Sequence, residues 1–324
     1  MYKNLFKYIL PALAGLVVGF AVCYMFSYSP GSNKIGAGSE CFRKYFLTNR
    51  HLDCNEYEES LSTVQALSAK YDAAIKIFVD SGKAERVSVW TRDLDTRLWA
   101  ASNEFEQYAP ASLFKVPVMI AYYKLAEIQP TLLDTQLEYQ PKGFYKDQNF
   151  DPEEKLIAGQ RYRAAELIDH MIIYSDNEAA ALLLEHLDSR VYADVLLDLG
   201  IRVPSGDGST DFVTVKTYAN IYRILYNSSY LTREYSQRAL ENLAKSTFKG
   251  ISEPLPADIA VAHKFGERKL ESQSGAALAY ELHDCGIVYK KENPYNICIM
   301  SEGKNFDDLL SIIKNLSAIA YENM

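Results

Sequence analysis

The sequence predicts an α+β fold: an antiparallel sheet flanked by helices, with an all-helical lobe inserted in its middle. Three observations predict it. Short apolar runs with strand character stand near both ends of the chain. The long middle, residues 111 to 245, repeats its apolar residues at helical spacing. The chain closes on Phe306–Tyr321, where Leu309, Leu310, Ile313 and Leu316 form one apolar stripe. Strands, helices, strands, helix is an α+β order, in which strands from both ends must share one sheet.

The elements follow in order. Residues 56–71 carry Leu61, Val64 and Leu67, with Ala74 beyond, at helical spacing. Ala74–Val79 and Val87–Thr91 are short apolar runs separated by Asp80-Ser81-Gly82-Lys83, and read as an antiparallel strand pair. Leu98-Trp99-Ala100 reads as a third strand. Helices are expected over Ser112–Glu127, Ala164–Tyr174, Glu178–Leu187, Tyr192–Leu199, Val215–Tyr226 and Thr232–Leu243. Strands return at Ala260–Phe265, Ala276–Leu282, Gly286–Tyr289 and Asn296–Met300. No internal repeat is visible.

The chain has 324 residues, 48% hydrophobic and 23% charged, which excludes wholesale disorder and a multi-pass membrane protein. Its net charge of -8, with no Lys/Arg cluster, argues against a nucleic-acid partner. Neither G-x-G-x-x-G nor a P-loop motif occurs, so nothing signals a dinucleotide or nucleotide cofactor. None of the five cysteines forms C-x-x-C, which removes zinc ribbons and thioredoxin-like sites. His51, His170, His186, His263 and His283 show no metal-ligand spacing, and no metal is expected. Asp207 to Asp211 lacks the length and terminal glutamate of a calcium loop. No G-x-S-x-G elbow is present, which disfavours an α/β-hydrolase.

The N-terminus addresses the protein to a membrane. Residues 9–26 are an almost unbroken apolar run, and no charge falls between Lys7 and Lys34. Eighteen residues at about 1.5 Å each span roughly 27 Å, enough to cross a bilayer core. Lys3 and Lys7 would stay cytoplasmic, which exports the remainder. The run is long for a cleaved leader, and Cys23 to Tyr28 offers no small-x-small site, so residues 1–27 read as a signal anchor. Residues 28–55, Gly/Ser-rich at first, read as a linker, and 56–324 as the folded domain. Export permits disulfides. Cys41 and Cys54 are spaced to close a short loop. Cys285 and Cys298 lie on apolar runs either side of a turn at residues 290–294; they are either neighbours across the pair or two buried free thiols.

Three short motifs carry chemistry. Ser112 and Lys115 sit three apart at a helix start, so both side chains share one face. A serine hydroxyl is a weak nucleophile until a base takes its proton, and a lysine with a depressed pKa can be that base. Alone, the pair equally fits a capping serine and a surface lysine. Ser175-Asp176-Asn177 follows, between two helices. Its hydroxyl could shuttle a proton and its amide could orient a substrate; a helix cap is the plain alternative. Lys264-Phe265-Gly266 lies on a strand. The lysine would attract an anion, and the glycine would let substrate approach the backbone.

Order and spacing join them. Ser-x-x-Lys, then Ser-Asp-Asn, then Lys-x-Gly on a strand is the three-part signature of class A β-lactamases and penicillin-binding proteins. From about residue 56 to the C-terminus the chain resembles that superfamily. The resemblance implies a sheet lobe of about 56–105 and 250–324, a helical lobe of about 106–249, and a site in the cleft between them. It implies Ser112 as acylated nucleophile, Lys115 as its proton partner and Ser175 as a relay. Asn177 would hold the substrate amide and Lys264 would attract a carboxylate. The N–H groups of Ser112 and Glu267 would form the oxyanion hole beside Gly266.

Two departures bear on turnover. Class A β-lactamases activate the deacylating water with a glutamate in a loop after the Ser-Asp-Asn helices. Here residues 200–211 are short and hold no glutamate, although Asp211 fits the aspartate that ends that loop. Glu153, Glu154 and Glu166 all precede Ser175, and Asp207 reads first as part of a Gly-Asp-Gly turn. Phe265 stands where the family usually has Thr or Ser. The expectation is a membrane-anchored, extracytoplasmic serine hydrolase without cofactor. Its substrates would be β-lactams or D-Ala-D-Ala-type cell-wall peptides, with slow β-lactam turnover. The rival from another class is a non-catalytic binding module that keeps the fold.

Overall fold

The computed structural model describes residues 61–144, 150, 152–204, 210–271 and 277–324. The chain divides into Met1–Lys44 and Tyr45–Met324, and every described residue belongs to the second unit. The apolar run at 9–26, the linker, Cys23, Cys41 and Cys54 lie outside the described residues. Among the described residues no helix is long and apolar enough to cross a membrane.

Five strands build the main sheet: β1 (Arg86–Asp93), β2 (Trp99–Ser102), β5 (Val261–Glu271), β6 (Ala277–Val288) and β7 (Tyr295–Gly303). Their order is β2-β1-β7-β6-β5, and every pairing is antiparallel. Strands from both ends of the chain therefore interleave at the β1–β7 pair. Both faces are covered, which is why β7 is buried almost throughout and reads as a continuous apolar run. On one face Val87, Val89, Ile297 and Ile299 pack with Leu67 and Tyr71 of α1 (Leu61–Asp80) and Leu309, Ile313 and Leu316 of α8 (Phe306–Asn323). On the other, Trp90, Ile287 and Met300 meet Tyr218, Tyr222 and Leu225 of α6 (Val215–Tyr226).

The helical region centres on α2 (Lys115–Ala126), which is buried on nearly every side. Around it stand α3 (Ala164–Ile173), α4 (Asn177–Glu185), α5 (Ser189–Asp198), α6 and α7 (Arg233–Ala244). Asp176, Asp188, Thr214 and Thr232 cap α4, α5, α6 and α7 by accepting backbone N–H bonds.

Several expectations need correction. Ala74–Val79 is not a strand but the last turns of α1. Leu67, Tyr71 and Ile75 recur every fourth residue on its buried face, while Ile77 is 66% exposed. The true partners of β1 are β2 and β7. The two strands expected between residues 276 and 289 are one, β6. Its polar interruption is buried and paired, with Asp284 Oδ1 2.8 Å from His263 Nδ1 across the β5–β6 ladder. A small β3–β4 pair, Gln136–Glu138 with Arg161–Arg163, was not anticipated; each strand turns only one residue inward. Cys285 faces Cys298 directly in the β6–β7 register, and a disulfide joins them, which decides between the two readings.

Candidate active site

Ser112 lies on a 3-10 turn, Ala111–Phe114, that runs directly into α2. Ala111 adopts φ +46°, a left-handed conformation unusual for a residue with a Cβ. The surroundings hold it there. Leu113 N–H donates to Pro110 O at 2.9 Å, and the buried Tyr218 hydroxyl donates to Leu113 O at 2.6 Å. Ser112 itself is half-buried.

Lys115 opens α2, and its backbone N–H donates to Ser112 O. Its side chain is buried, and the amine donates to Asn177 Oδ1 at 2.6 Å, to Ser175 Oγ at 3.1 Å and to Ser175 O. These three bonds use an ammonium's three donors, and none goes to Ser112 Oγ. In the neutral amine, the lone pair could accept a proton from either serine. Burial pulls the Lys115 pKa down to about 7, with the charges of Asp176 and Glu267 opposing the shift.

The Ser-Asp-Asn segment wraps the end of that lysine. Ser175 is buried at φ +57°, a second left-handed residue at the site. Asp176 turns inward and caps α4, accepting from Glu178 N and Ala179 N at 2.8 and 3.0 Å. The capping alternative therefore belongs to Asp176, which leaves Ser175 and Asn177 for Lys115.

The edge strand β5 forms the opposite wall. A Cβ added to Gly266 would lie 2.9 Å from Pro110 O and 3.2 Å from Leu113 N. The glycine thus lets β5 pack against the Ser112 turn, rather than leaving space for a substrate there. Lys264 is fully buried, and its amine donates to Phe265 O at 3.0 Å over the Phe265 ring, 4.2 Å from the centroid. Desolvation and the nearby Lys115 push its pKa well below the lysine range, with Asp284 and Glu267 opposing. It does not stand open in the cleft, as a direct attractor of a carboxylate would. Phe265 stacks on Phe248 at 4.0 Å and meets Phe150 edge-on at 5.1 Å, so an apolar group stands at this position. Glu267 Oε1 accepts from Phe150 N at 3.0 Å.

Fold, order and geometry now coincide with one family. The model of the β-lactamase enzyme family matches residues 70–324, more than half of the chain. The chain belongs to the β-lactamase enzyme family. Solved structures share the fold of this family member at low identity. An ancestral class A β-lactamase has a TM-score of 0.65 at 21% identity, covering 80% of this chain and 100% of its own. A β-lactamase from Xanthomonas campestris has 0.66 at 17%, covering 79% and 98%. A mutant of PBP-A, described as an acyl-enzyme complex with penicillin G, has 0.66 at 17%, covering 80% and 96%. No curated protein matches the chain.

Within this β-lactamase-family fold, the carboxylate charges that act on Lys115 are those of Asp176 and Glu267. Glu166 is exposed and closes a capping box, accepting from Arg163 N at 2.8 Å. Asp207 lies outside the described residues. Asp211 pins the end of its loop to β1 through Arg86 at 2.7 Å. Sequence reasoning missed the Glu267 side chain, whose charge reaches both lysines, the aromatic group of Phe150, Phe248 and Phe265, and the Tyr218 tie. Only the position of Glu267 beside Gly266 signalled it; the rest depends on which elements pack together.

Proposed function

We propose that the protein is a membrane-anchored serine hydrolase facing the cell exterior, working through a Ser112 acyl-enzyme. One observation carries the reading: a buried lysine with its pKa held at about 7, one turn after a serine, in contact with a second serine. At neutral pH about half of such a lysine is unprotonated, so it can take the Ser112 proton at little cost. Ser175, bonded to the same nitrogen, passes that proton to the leaving group. Asn177 orients the substrate amide. The backbone N–H groups of Ser112 and Glu267 receive the oxyanion, on a turn and strand already locked together at Gly266. Lys264, fully buried and held well below the lysine range, stands behind the wall of the cleft as a hydrogen-bond donor to Phe265 O.

The substrates would be β-lactams or D-Ala-D-Ala-type cell-wall peptides, consistent with a structural neighbour described as an acyl-enzyme with penicillin G. Residues 200–211 supply no glutamate to activate water, so a β-lactam ester should persist. Residues 9–26 would hold the protein in the membrane, with 28–55 as tether.

Hydrolysis of a small activated ester tests this. Wild type should turn the ester over and Ser112→Ala should not. Equal rates for the two would sink the nucleophile assignment, and no activity in either would favour the binding module.

A further inference from the structure

The opposite edge of the main sheet carries a cavity, far in strand order from β5. It occupies about 410 Å³ between the β1–β2 hairpin and α6. The chain has two tryptophans in all, and both line this cavity. Trp90 and Trp99 stack with centroids 4.6 Å apart and planes 13° from parallel, and Trp99 is 44% exposed. The Lys216 amine lies 5.3 Å from the Trp90 centroid and 5.7 Å from that of Trp99.

The charge here is one-sided. Arg92, Lys216 and Arg223 line the cavity, no Asp or Glu does, and among the described residues none of the three forms an ion pair. Arg223 is aimed by Asn220, whose Oδ1 accepts at 2.6 and 2.9 Å. Burial lowers the Arg92 pKa, and the charges of Arg223 and Arg97 lower it further. Uncompensated cations in a chain of net charge -8 call for an anion.

A further observation points to hydroxyls. Asn296 stands opposite Arg92 in the β1–β7 register and also lines the cavity. It is 1% exposed; its Nδ2 donates to Ala219 O, while its Oδ1 has no hydrogen-bond partner. A buried acceptor wants a donor, which a bare anion cannot supply and a sugar hydroxyl can. An exposed indole face beside polar groups suits a flat saccharide ring.

We propose that this cavity binds an anionic saccharide, with the ring on Trp99, the acid group on Arg92, Arg223 and Lys216, and a hydroxyl on Asn296. The site is independent of Ser112. The tryptophan content makes the test direct, because intrinsic tryptophan fluorescence of the full chain reports on this cavity alone. Glucose 6-phosphate should change that fluorescence saturably, half-complete at about 1 mM or below, with glucose and inorganic phosphate each about tenfold weaker. Arg223→Gln and Lys216→Gln should each weaken the response about tenfold while leaving ester hydrolysis unchanged. No saturable change with glucose 6-phosphate would overturn the proposal. So would an undiminished response in both variants, an equal response to phosphate alone, or tighter binding of adenosine monophosphate, which would make the cavity a nucleotide site.

Discussion

The pKa of Lys115 controls the proposed chemistry, and Glu267→Gln moves it in a known direction. The Glu267 carboxylate raises the Lys115 pKa against the larger effect of burial. Glutamine keeps an oxygen to accept the Phe150 N–H and leaves the backbone N–H of residue 267 in place. Removing one such charge at an effective dielectric near 20 is worth on the order of 1–2 kcal/mol, or about one pKa unit. Lys115 would then titrate at about 6 instead of about 7. At pH 6 the unprotonated fraction rises from about a tenth to about a half, so acylation quickens about fivefold there and little at pH 9. Stopped-flow acylation by a chromogenic penicillin from pH 5 to 9 gives both profiles. A wild-type midpoint near the ordinary lysine value, or an upward shift in Glu267→Gln, would refute the reasoning.

Four further outcomes follow from other parts of the molecule. The depressed Lys115 pKa means that the unfolded chain binds the extra proton between about pH 7 and 10.5; this lysine should add about 1.4 kcal/mol per pH unit to the rise of stability in that window, beside what the buried Lys264 adds, and Lys115→Met should lower the slope by that share in denaturant titrations. Tyr218→Phe removes the hydroxyl that holds Leu113 O, so acylation should slow about tenfold for a stability loss of about 1 kcal/mol; equal acylation would mean that the turn needs no such tie. Gly266→Ala forces Pro110 O or β5 to shift, and should lower kcat well before it lowers Tm. Replacing Cys285 and Cys298 by Ala together should cost about 3 kcal/mol in urea unfolding, the loop being 13 residues in separation.

The fold was legible wherever one periodicity ran long enough. Val215–Tyr226 is bounded as its apolar spacing predicts, and the inserted helical lobe follows from the order of elements. The end of α1 was not legible, because Ile75, Ile77, Phe78 and Val79 read as a strand in isolation; only the sheet decides which of them it covers. For the site, Ser112, Lys115, Ser175 and Asn177 stood out by motif; the structure brings Ser175 and Asn177 onto the Lys115 amine and sets Ser112 on the turn just before it. What Lys264 and Gly266 touch was hidden, since it depends on β5 lying against the Ser112 turn. Asp284 pairing with His263, and Glu267 acting at a distance on two lysines, likewise come from strand register and packing that no local pattern encodes.

The most direct test of the Ser112 acyl-enzyme is intact-mass spectrometry of the full chain mixed with a penicillin and followed over time, with Ser112→Ala alongside. The account predicts a long-lived adduct of one penicillin on the wild type and none on the variant. An adduct of equal yield on Ser112→Ala, or neither adduct nor penicillin loss with the wild type, would contradict it.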